Sequence, residues 1–288
     1  MLLLDPPLIT LTTDFGHIDT YVGVMKGVML GIAPQARLID LTHEIGPQNV
    51  LEASARLEAA LPFFPRGTIH LVVVDPGVGS ERAAVIVRTA ESLFVAPDNG
   101  VLSLPLRRQP PIETIKLSEL ARPYFREPVS ATFHGRDIFA PIAARLASGA
   151  PASRFGLSYP NMDLVSLKDP TIDPCTVSGD EAILIPILYV DRFGNLVMAL
   201  RREDWLEASN GHPYGSDGSA SVEFQAGALR WRGIVTTFAA VAVGAPLAYW
   251  GSAGRLEIAV RNGSAAQLMG VQAGDTIRMH RVVPNDGT

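Results

Sequence analysis

The sequence predicts an α/β fold with two domains: an N-terminal α/β domain with a mostly parallel central sheet over residues 1–172, and a smaller all-β barrel domain over residues 180–288. Three observations support this prediction. Strand-like and helix-like stretches alternate in the first half, which is typical of parallel strands joined by helices. Residues 149–180 are rich in Pro, Ser, Asp and Gly and lack periodicity, which indicates a connection. From residue 182 onward, short apolar runs are separated by Gly, Asn and Asp, which favours a barrel or sandwich.

The elements of the N-terminal domain are predicted from hydrophobic periodicity. Strands are predicted over residues 8–13, 36–42, 68–74, 83–89 and 93–96. Helices are predicted over residues 19–32, 49–61 and 137–148. Asp19 is the expected N-cap of the first helix. The third strand is almost continuously apolar, as expected at the centre of a sheet that is covered on both faces.

Composition and charge argue against several classes of function. The net charge of −5 and the scattering of the 24 basic residues argue against nucleic acid as a partner. The single cysteine, Cys175, excludes an intrachain disulfide framework and indicates a reducing, cytoplasmic compartment. Residues 233–254 carry no charge, and their length alone would permit a membrane span. The Gly-Ala-Pro at 244–246 favours two short buried strands around a turn instead, so no membrane partner is expected.

Polar residues follow three of the predicted strands, at 12–16, 40–44 and 75–82. Ligands bind outside the carboxyl ends of strands in open parallel sheets, so these three ends are expected to share one crevice. Asp75 is the strongest candidate, because it follows the apolar run Ile-His-Leu-Val-Val-Val and precedes a Pro-Gly-Val-Gly turn. The alternative is an Asp that only caps this turn. Asp14 could bind both hydroxyls of a ribose, or form an Asx-turn.

Other polar residues carry weaker signals. His134 lies just before a predicted helix and beside Gly135, which leaves room for a ligand, but such a His is often a surface or capping residue. The segment 189–195 could be a simple hairpin turn. A metal site is a further alternative, for which the candidate ligands are His17, Asp19, His43 and Glu44. Their spacing matches no standard ligand set, so no metal is expected.

Seven motifs occur in order along nearly the whole chain. They are Thr-Thr-Asp-Phe-Gly at 12–16, Tyr-Val-Gly-Val-Met-Lys-Gly at 21–27, Val-Asp-Pro-Gly-Val-Gly at 74–79, Ala-Pro-Asp-Asn-Gly at 96–100, Thr-Phe-His-Gly-Arg-Asp at 132–137, Asp-Arg-Phe-Gly-Asn at 191–195 and Leu-Glu-Ile-Ala-Val at 256–260. With these motifs the chain resembles the S-adenosylmethionine (SAM) hydrolase family, the SAM hydroxide adenosyltransferases, which are related to the bacterial fluorinase and chlorinase. Each motif alone is weak, and the ordered set is specific.

The resemblance implies a homotrimer whose active site lies between the N-terminal domain of one subunit and the C-terminal domain of its neighbour. It implies that Asp75, Arg82 and His134 activate water and that Asp14 holds the ribose. The residues that it implies along the rest of the substrate are Gly135, Asp191, Asn195, Phe238, Ser252, Glu257 and Val260. SAM is the substrate in this family, and no further cofactor is expected.

The same resemblance favours water over halide as the nucleophile. The halogenating relatives carry tyrosine at the positions of Asp75 and His134, a halide-contacting serine at Gly135 and a tryptophan at Gln48. A carboxylate repels a halide in a pocket of low dielectric constant. The predicted activity is therefore hydrolysis of SAM to adenosine and L-methionine.

Three alternatives stay open at this point. The first is a SAM-dependent halogenase that makes 5′-halo-adenosine. The second is a metal-dependent hydrolase of a phosphate or nucleoside ester that uses Asp14, His43, Asp75 and His134. The third is a protein that binds adenosine or SAM without catalysis.

Overall fold

The computed structural model describes residues 6–168, 182–209 and 222–281, and the chain divides into two units, Met1–Leu167 and Lys168–Thr288. The predicted boundary between residues 172 and 180 and the single cysteine, Cys175, lie outside the described residues. Each unit has a hydrophobic core of its own.

The N-terminal unit is built on a seven-stranded sheet with the order β2-β1-β3-β5-β4-β6-β7. Its strands are β1 (Leu8–Thr13), β2 (Arg37–Thr42), β3 (Ile69–Val73), β4 (Ala84–Arg88), β5 (Leu93–Pro97), β6 (Glu113–Leu117) and β7 (Gly156–Ser158). The neighbours β2-β1, β1-β3 and β3-β5 are parallel, and the remaining three pairs are antiparallel. The predicted α/β class is confirmed, and the parallel half of the sheet is the half that carries the site.

Helices cover both faces of this sheet. They are α1 (Tyr21–Ile32), α2 (Val50–Ala60), α3 (Ser103–Arg108) and α4 (Ala140–Ala147), with 3-10 turns at Leu61–Phe63, Glu119–Tyr124, Ala152–Arg154 and Asn161–Asp163. Alternate residues of β3, together with Val74, which directly follows it, pack on opposite faces of the sheet. Leu71 and Val73 pack in the core under α1 and α4, whereas Val72 and Val74 pack in the core under α2 and α3. Every residue of β3 is therefore buried, as its apolar run predicts.

Two predicted helix starts are wrong. Helix α1 begins after Thr20, so Asp19 lies one residue before the N-cap, and Thr20 makes no side-chain capping bond. The helix predicted from residue 137 begins earlier, because a π-helical turn, Gly135–Phe139, precedes α4. In α2 the cap is explicit, since the side chain of Asn49 accepts a hydrogen bond from the Glu52 N–H at 3.1 Å.

The C-terminal unit is a barrel-like sheet of eight strands with the order β11-β10-β15-β8-β9-β14-β13-β12. Its strands are β8 (Ala182–Val190), β9 (Leu196–Arg201), β10 (Val222–Ala226), β11 (Leu229–Arg232), β12 (Ile234–Val235), β13 (Pro246–Trp250), β14 (Arg255–Val260) and β15 (Thr276–Arg281). Strands β11 and β13, from opposite ends of this order, lie near each other, which closes the sheet around one core. Two short helices, α5 (Arg202–Ser209) and α6 (Ala265–Met269), and a 3-10 turn, Phe238–Ala240, complete the described part of this unit.

The uncharged stretch 233–254 forms β12 and β13, which pair in parallel on either side of the Phe238–Ala240 turn. Among the described residues, no helix is both long enough and apolar enough to cross a membrane.

Candidate active site

A cavity of about 190 Å³ lies at the carboxyl ends of β1 and β3. It is lined by Asp14, Phe15, Gln48, Val73, Asp75, Val78, Thr132, Phe133, His134 and Gly135. The structure thus brings Asp14, Asp75, His134 and Gly135 to one place, although they come from three distant segments of the sequence. This is the position at which a parallel sheet offers a ligand site.

Arg82 joins Asp75 to His134. The Nε of Arg82 donates to both carboxylate oxygens of Asp75 at 2.9 Å, and its Nη2 donates to Oδ2 of the same carboxylate. The same Nη2 lies 3.1 Å from Nδ1 of His134. The side chains of Asp75 and Arg82 are only 5% and 11% exposed. The three predicted catalytic residues therefore form one hydrogen-bonded chain with the arginine in its centre.

Burial and the contact with Arg82 together favour the neutral form of His134, and the contact indicates its tautomer. Burial lowers the pKa of His134, and the positive charge of Arg82 lowers it further. An arginine has only donors, so Nδ1 of His134 is the acceptor in their hydrogen bond. The proton of the neutral imidazole must then sit on Nε2. His134 is consequently a hydrogen-bond donor at Nε2 near neutral pH.

A buried carboxylate anchors the loop that carries His134. Asp137 is fully buried, and its side chain accepts hydrogen bonds from the Ser130 N–H at 2.9 Å and from the guanidinium of Arg136 at 2.6 and 2.7 Å. The N–H groups of Arg136 and Asp137 both donate to the carbonyl of Phe133. These bonds fix the turn on both sides of His134, a role for Asp137 that the sequence did not reveal.

Gly135 lies where three side chains converge. A Cβ atom at this position would lie 3.2 Å from Sδ of Met25 and 3.4 Å from ring carbons of Phe15 and Phe133. A side chain would therefore intrude on a packed contact and on the cavity that Gly135 lines. This close approach explains why the loop has a glycine here.

The rings of Phe15, Tyr21 and Phe133 form an aromatic cluster beside the cavity. The ring of Tyr21 lies 5.7 Å from that of Phe15 and 5.1 Å from that of Phe133, and the rings of Phe15 and Phe133 are 5.8 Å apart. This cluster was not predicted from the sequence. The only available signal was that all three lie inside the motifs at 12–16, 21–27 and 132–137.

Asp14 reaches across the cavity rim. Its Oδ2 accepts a hydrogen bond from the backbone N–H of Gln48 at 2.7 Å, so the carboxylate joins the end of β1 to the segment after β2. This contact differs from the alternative, an Asx-turn, in which the carboxylate would bond a backbone N–H of its own turn. A carboxylate has acceptor positions for several hydrogen bonds, which leaves Asp14 able to bind ribose hydroxyls.

The polar residues at 40–44, at the end of β2, do not line the cavity. The prediction that all three strand ends share one crevice is therefore wrong for β2. His43 is fully buried; its Nδ1 hydrogen-bonds Oγ1 of Thr13 at 2.8 Å, and its Nε2 lies 3.0 Å from Oδ1 of Asp40. Asp40 also pairs with Lys26 at 2.6 Å. Burial lowers the pKa of His43, and the Asp40 carboxylate opposes this only in part. The network holds the Asp14–Gly16 turn, since the Gly16 N–H donates to the His43 carbonyl at 2.8 Å.

A metal site receives no support from the arrangement of ligands. Over residues 6–168, 182–209 and 222–281, no group of three or more His, Cys, Asp or Glu side chains is placed to hold a metal ion.

In the C-terminal unit, Asp191 and Asn195 bond to each other within the β8-β9 hairpin. Oδ1 of Asp191 accepts from the N–H groups of Phe193 and Asn195 at 2.8 Å, and Oδ2 accepts from the Asn195 side chain at 2.9 Å. Gly194 has a φ of +84°, and a Cβ there would collide with Ser264. The segment is thus a tight hairpin turn, as the simpler alternative proposed.

Glu257 belongs to a second polar group of the barrel. It lies opposite Tyr249 in the β13-β14 pair and accepts a hydrogen bond from the Tyr249 hydroxyl. The rings of Tyr249 and Phe238 are 5.0 Å apart. Burial raises the pKa of Glu257, and the nearby charge of Asp191 raises it further. Tyr249 is an addition to the predicted set, and Glu257, Phe238 and Asp191 are near one another.

The last two predicted residues differ from this group. Ser252 is exposed in the turn between β13 and β14. The Val260 side chain is 5% exposed and belongs to the barrel core. Only its backbone could contact a substrate, because its side chain already fills the core.

The fold and the cavity define a protein with an α/β unit and a β-barrel unit, and with a buried Asp–Arg pair, bonded to a half-buried histidine, at the end of a parallel strand. A family profile described as the SAM hydroxide adenosyltransferase N-terminal domain matches residues 9–156, and the corresponding C-terminal domain matches residues 185–278. The chain belongs to the SAM hydroxide adenosyltransferase family, which confirms the resemblance found in the sequence.

Individual relatives match over nearly their full length. An (R)-S-adenosyl-L-methionine hydrolase of Salinispora tropica is 39% identical over 95% of this chain and 97% of its own. A fluorinase of an Actinoplanes species is 28% identical over 94% of this chain and 96% of its own. A crystal structure of an uncharacterized conserved protein from Thermotoga maritima superimposes with a TM-score of 0.83 at 37% identity, covering 95% of this chain and all of that one.

Proposed function

We propose that this protein hydrolyses S-adenosyl-L-methionine to adenosine and L-methionine by in-line attack of an enzyme-held water on the 5′ carbon. The observation that carries this proposal is the Asp75–Arg82–His134 chain on a cavity that Asp14 also lines. The identity of 39% to an (R)-S-adenosyl-L-methionine hydrolase supports the same activity.

The main difficulty of this reaction is the activation of the nucleophile. A bond forms between the water oxygen and the 5′ carbon while the bond from that carbon to sulfur breaks, and its electron pair moves to sulfur. The sulfonium thereby becomes neutral methionine, so the leaving group needs no acid. Water is a weak nucleophile, so it must be oriented and must lose a proton. The products are adenosine, methionine and one proton.

Each member of the chain has a role that follows from its contacts. Asp75 presents a carboxylate whose remaining acceptor positions can hold the water and receive its proton. Arg82 bonds both oxygens of that carboxylate and so fixes its plane. His134 donates from Nε2, which can fix the direction of the water's lone pair. A positioned acid–base group of this kind contributes about 10²–10⁴-fold to the rate.

The same contacts favour water over a halide. Two unit charges about 4 Å apart interact by roughly 4 kcal/mol at an effective dielectric constant near 20. Arg82 cancels part of the repulsion between Asp75 and an anion. Hydrogen bonding at Asp75 therefore disfavours a halide more than charge repulsion does. A halide needs hydrogen-bond donors, and the Asp75 carboxylate offers only acceptors.

The site is proposed to be completed by a second subunit of a homotrimer. A cavity of about 190 Å³ is smaller than the roughly 300–1,000 Å³ of typical small-molecule sites. Tyr21, which packs on the cavity-lining rings of Phe15 and Phe133, is 46% exposed, and Ile18, three residues after Phe15, is fully exposed. The barrel group of Asp191, Asn195, Phe238, Ser252, Glu257 and Val260 is proposed to supply the missing wall from the neighbouring subunit. Light scattering is expected to give three times the chain mass of 30.8 kDa, and a monomeric mass would contradict this arrangement.

The reaction is proposed to need no metal and to occur in the cytoplasm, where the single cysteine would stay reduced. Incubation with SAM, with and without chloride or fluoride, separates the alternatives by chromatography. Adenosine alone is expected, and its rate is expected to be unchanged by a chelator. A 5′-halo-adenosine would favour the halogenase, inhibition by the chelator would favour the metal hydrolase, and binding without product would favour the non-catalytic protein.

A further inference from the structure

The turn between β5 and α3 contacts the backbone beside both members of the catalytic ion pair. The side chain of Asn99 donates from Nδ2 to the carbonyl of Val74 at 2.9 Å, and this carbonyl belongs to the peptide bond that leads into Asp75. The backbone N–H of the preceding residue, Asp98, donates to the carbonyl of Ala83 at 2.9 Å, and Ala83 directly follows Arg82. Two consecutive residues of one turn therefore hold the chain segments that carry Asp75 and Arg82.

The bond from Asn99 replaces a missing sheet partner. The ladder between β3 and β5 ends at Leu71 and Val95, and the ladder between β3 and β1 ends at Val73. Val74 is fully buried and lies just beyond both ladders, so its carbonyl has to be satisfied by another donor. The Asn99 amide is that donor. The orientation of the last peptide before Asp75 consequently depends on a side chain.

Asn99 is itself held in one orientation. Its Oδ1 accepts a hydrogen bond from the Val101 N–H at 3.1 Å, while Nδ2 faces the Val74 carbonyl. Gly100 allows this turn with a φ of +92°, and Ser103 donates from Oγ to the Gly100 carbonyl at 2.6 Å. An aspartate would keep the acceptor for Val101 but would place a carboxylate oxygen against the Val74 carbonyl. An asparagine supplies both the acceptor for the Val101 N–H and the donor for the Val74 carbonyl.

We infer that Asn99 is a positioning residue for SAM hydrolysis: it sets the geometry of the Asp75–Arg82 pair without touching the substrate. This inference rests on the proposed function. Asn99 is not among the residues that line the cavity, so its influence has to pass through the Val74–Asp75 peptide. The contact of Arg82 with both carboxylate oxygens depends on the separation and orientation of the two backbone segments.

The test compares Asn99→Asp with Asn161→Asp as the matched control. Asn161 likewise donates its amide to a backbone carbonyl, that of Pro111 at 3.2 Å, and accepts from the Thr114 hydroxyl at 2.7 Å, but neither partner adjoins Asp75 or Arg82. Asn99→Asp is expected to lower kcat about 10–100-fold, the size of a displacement near 1 Å at the reacting groups, with KM changed less than about twofold. Asn161→Asp is expected to leave both constants within about twofold. An unchanged kcat in Asn99→Asp, or an equal loss in Asn161→Asp, would overturn the inference.

A double-mutant cycle with Asp75→Asn distinguishes positioning from a general loss of structure. If Asn99 acts through Asp75, then Asn99→Asp is expected to cost less than about threefold in kcat once Asp75 is already replaced. A double variant whose loss in kcat equals the product of the two single losses would contradict the inference. The unmodified enzyme tests the proposed function in the same assay. If it releases no adenosine, SAM hydrolysis is refuted, whereas the inference about Asn99 is refuted only by the variants. A crystal structure of Asn99→Asp gives a readout without activity: loss of the two-oxygen contact between Arg82 and Asp75 supports the inference, and an unchanged contact overturns it.

Discussion

Replacement of Asp75 by Asn removes the carboxylate from the centre of the proposed water site and keeps its shape. We expect kcat to fall by about 10²–10⁴-fold, the contribution of a positioned acid–base group. At about 1.36 kcal/mol per tenfold, this equals roughly 2.7–5.4 kcal/mol of lost transition-state stabilisation. Arg82 would keep one acceptor oxygen and lose a charged partner. Because its side chain is 11% exposed, the variant is also expected to lose roughly 1–3 kcal/mol of folding stability.

The assay separates these two effects. Adenosine is measured at saturating SAM and divided by the concentration of folded protein, and SAM affinity is measured by calorimetry. We expect Kd to rise less than about tenfold, because Asp14 and the aromatic cluster stay in place while only the charge near the sulfonium is lost. An unchanged kcat would refute the role of Asp75 in holding water. A large rise in Kd with an unchanged kcat would show that Asp75 only binds the substrate.

Three further predictions test other parts of the site. His134→Ala is expected to lower kcat about 10²-fold with little change in SAM affinity, and a kcat within about twofold of the parent would refute its role as donor. Asp14→Ala is expected to raise KM for SAM about 10–100-fold while kcat at saturation stays within about threefold, since hydrogen bonds to a carboxylate contribute roughly 1.5–3 kcal/mol; a fall in kcat alone would contradict a ribose role. His70 is buried, and burial lowers its pKa to about 3 from 6.5, so the unfolded chain binds this proton first as the pH falls. The free energy of unfolding, measured by urea titration, is therefore expected to fall below pH 6.5, by about 2 kcal/mol near pH 5 at 1.36 kcal/mol per pH unit. An equal fall with pH in His70→Gln would refute this assignment to His70.

The sequence revealed the features of the site that depend on local patterns. Asp75 was identified from the buried run before it and the turn after it, and the structure places it at the end of β3 beside the cavity. His134 was a weak candidate from its place before a predicted helix, and its role came from the family resemblance. Arg82 was found only through that resemblance, because an arginine seven residues after an aspartate has no distinctive spacing. Local patterns cannot show that the arginine lies between the other two.

The features that sequence analysis missed depend on contacts between distant residues. The ring of Phe133 lies near those of Phe15 and Tyr21 only because β1, α1 and α4 pack around one core. The antiparallel half of the sheet depends on which strand edges meet, and periodicity does not encode this. Asp19 was a reasonable cap by residue type, but the first helical residue is Tyr21 and the cap position falls to Thr20.

The central claim is that water attacks the 5′ carbon of SAM in the cavity that Asp75 and His134 line. It is tested most directly by running the reaction in water enriched in oxygen-18 and analysing the products by mass spectrometry. We predict one heavy oxygen in the 5′ hydroxyl of adenosine and none acquired by methionine through the displacement. Adenosine without the label, or heavy oxygen in a product cleaved on the methionine side of the sulfur, would contradict the claim.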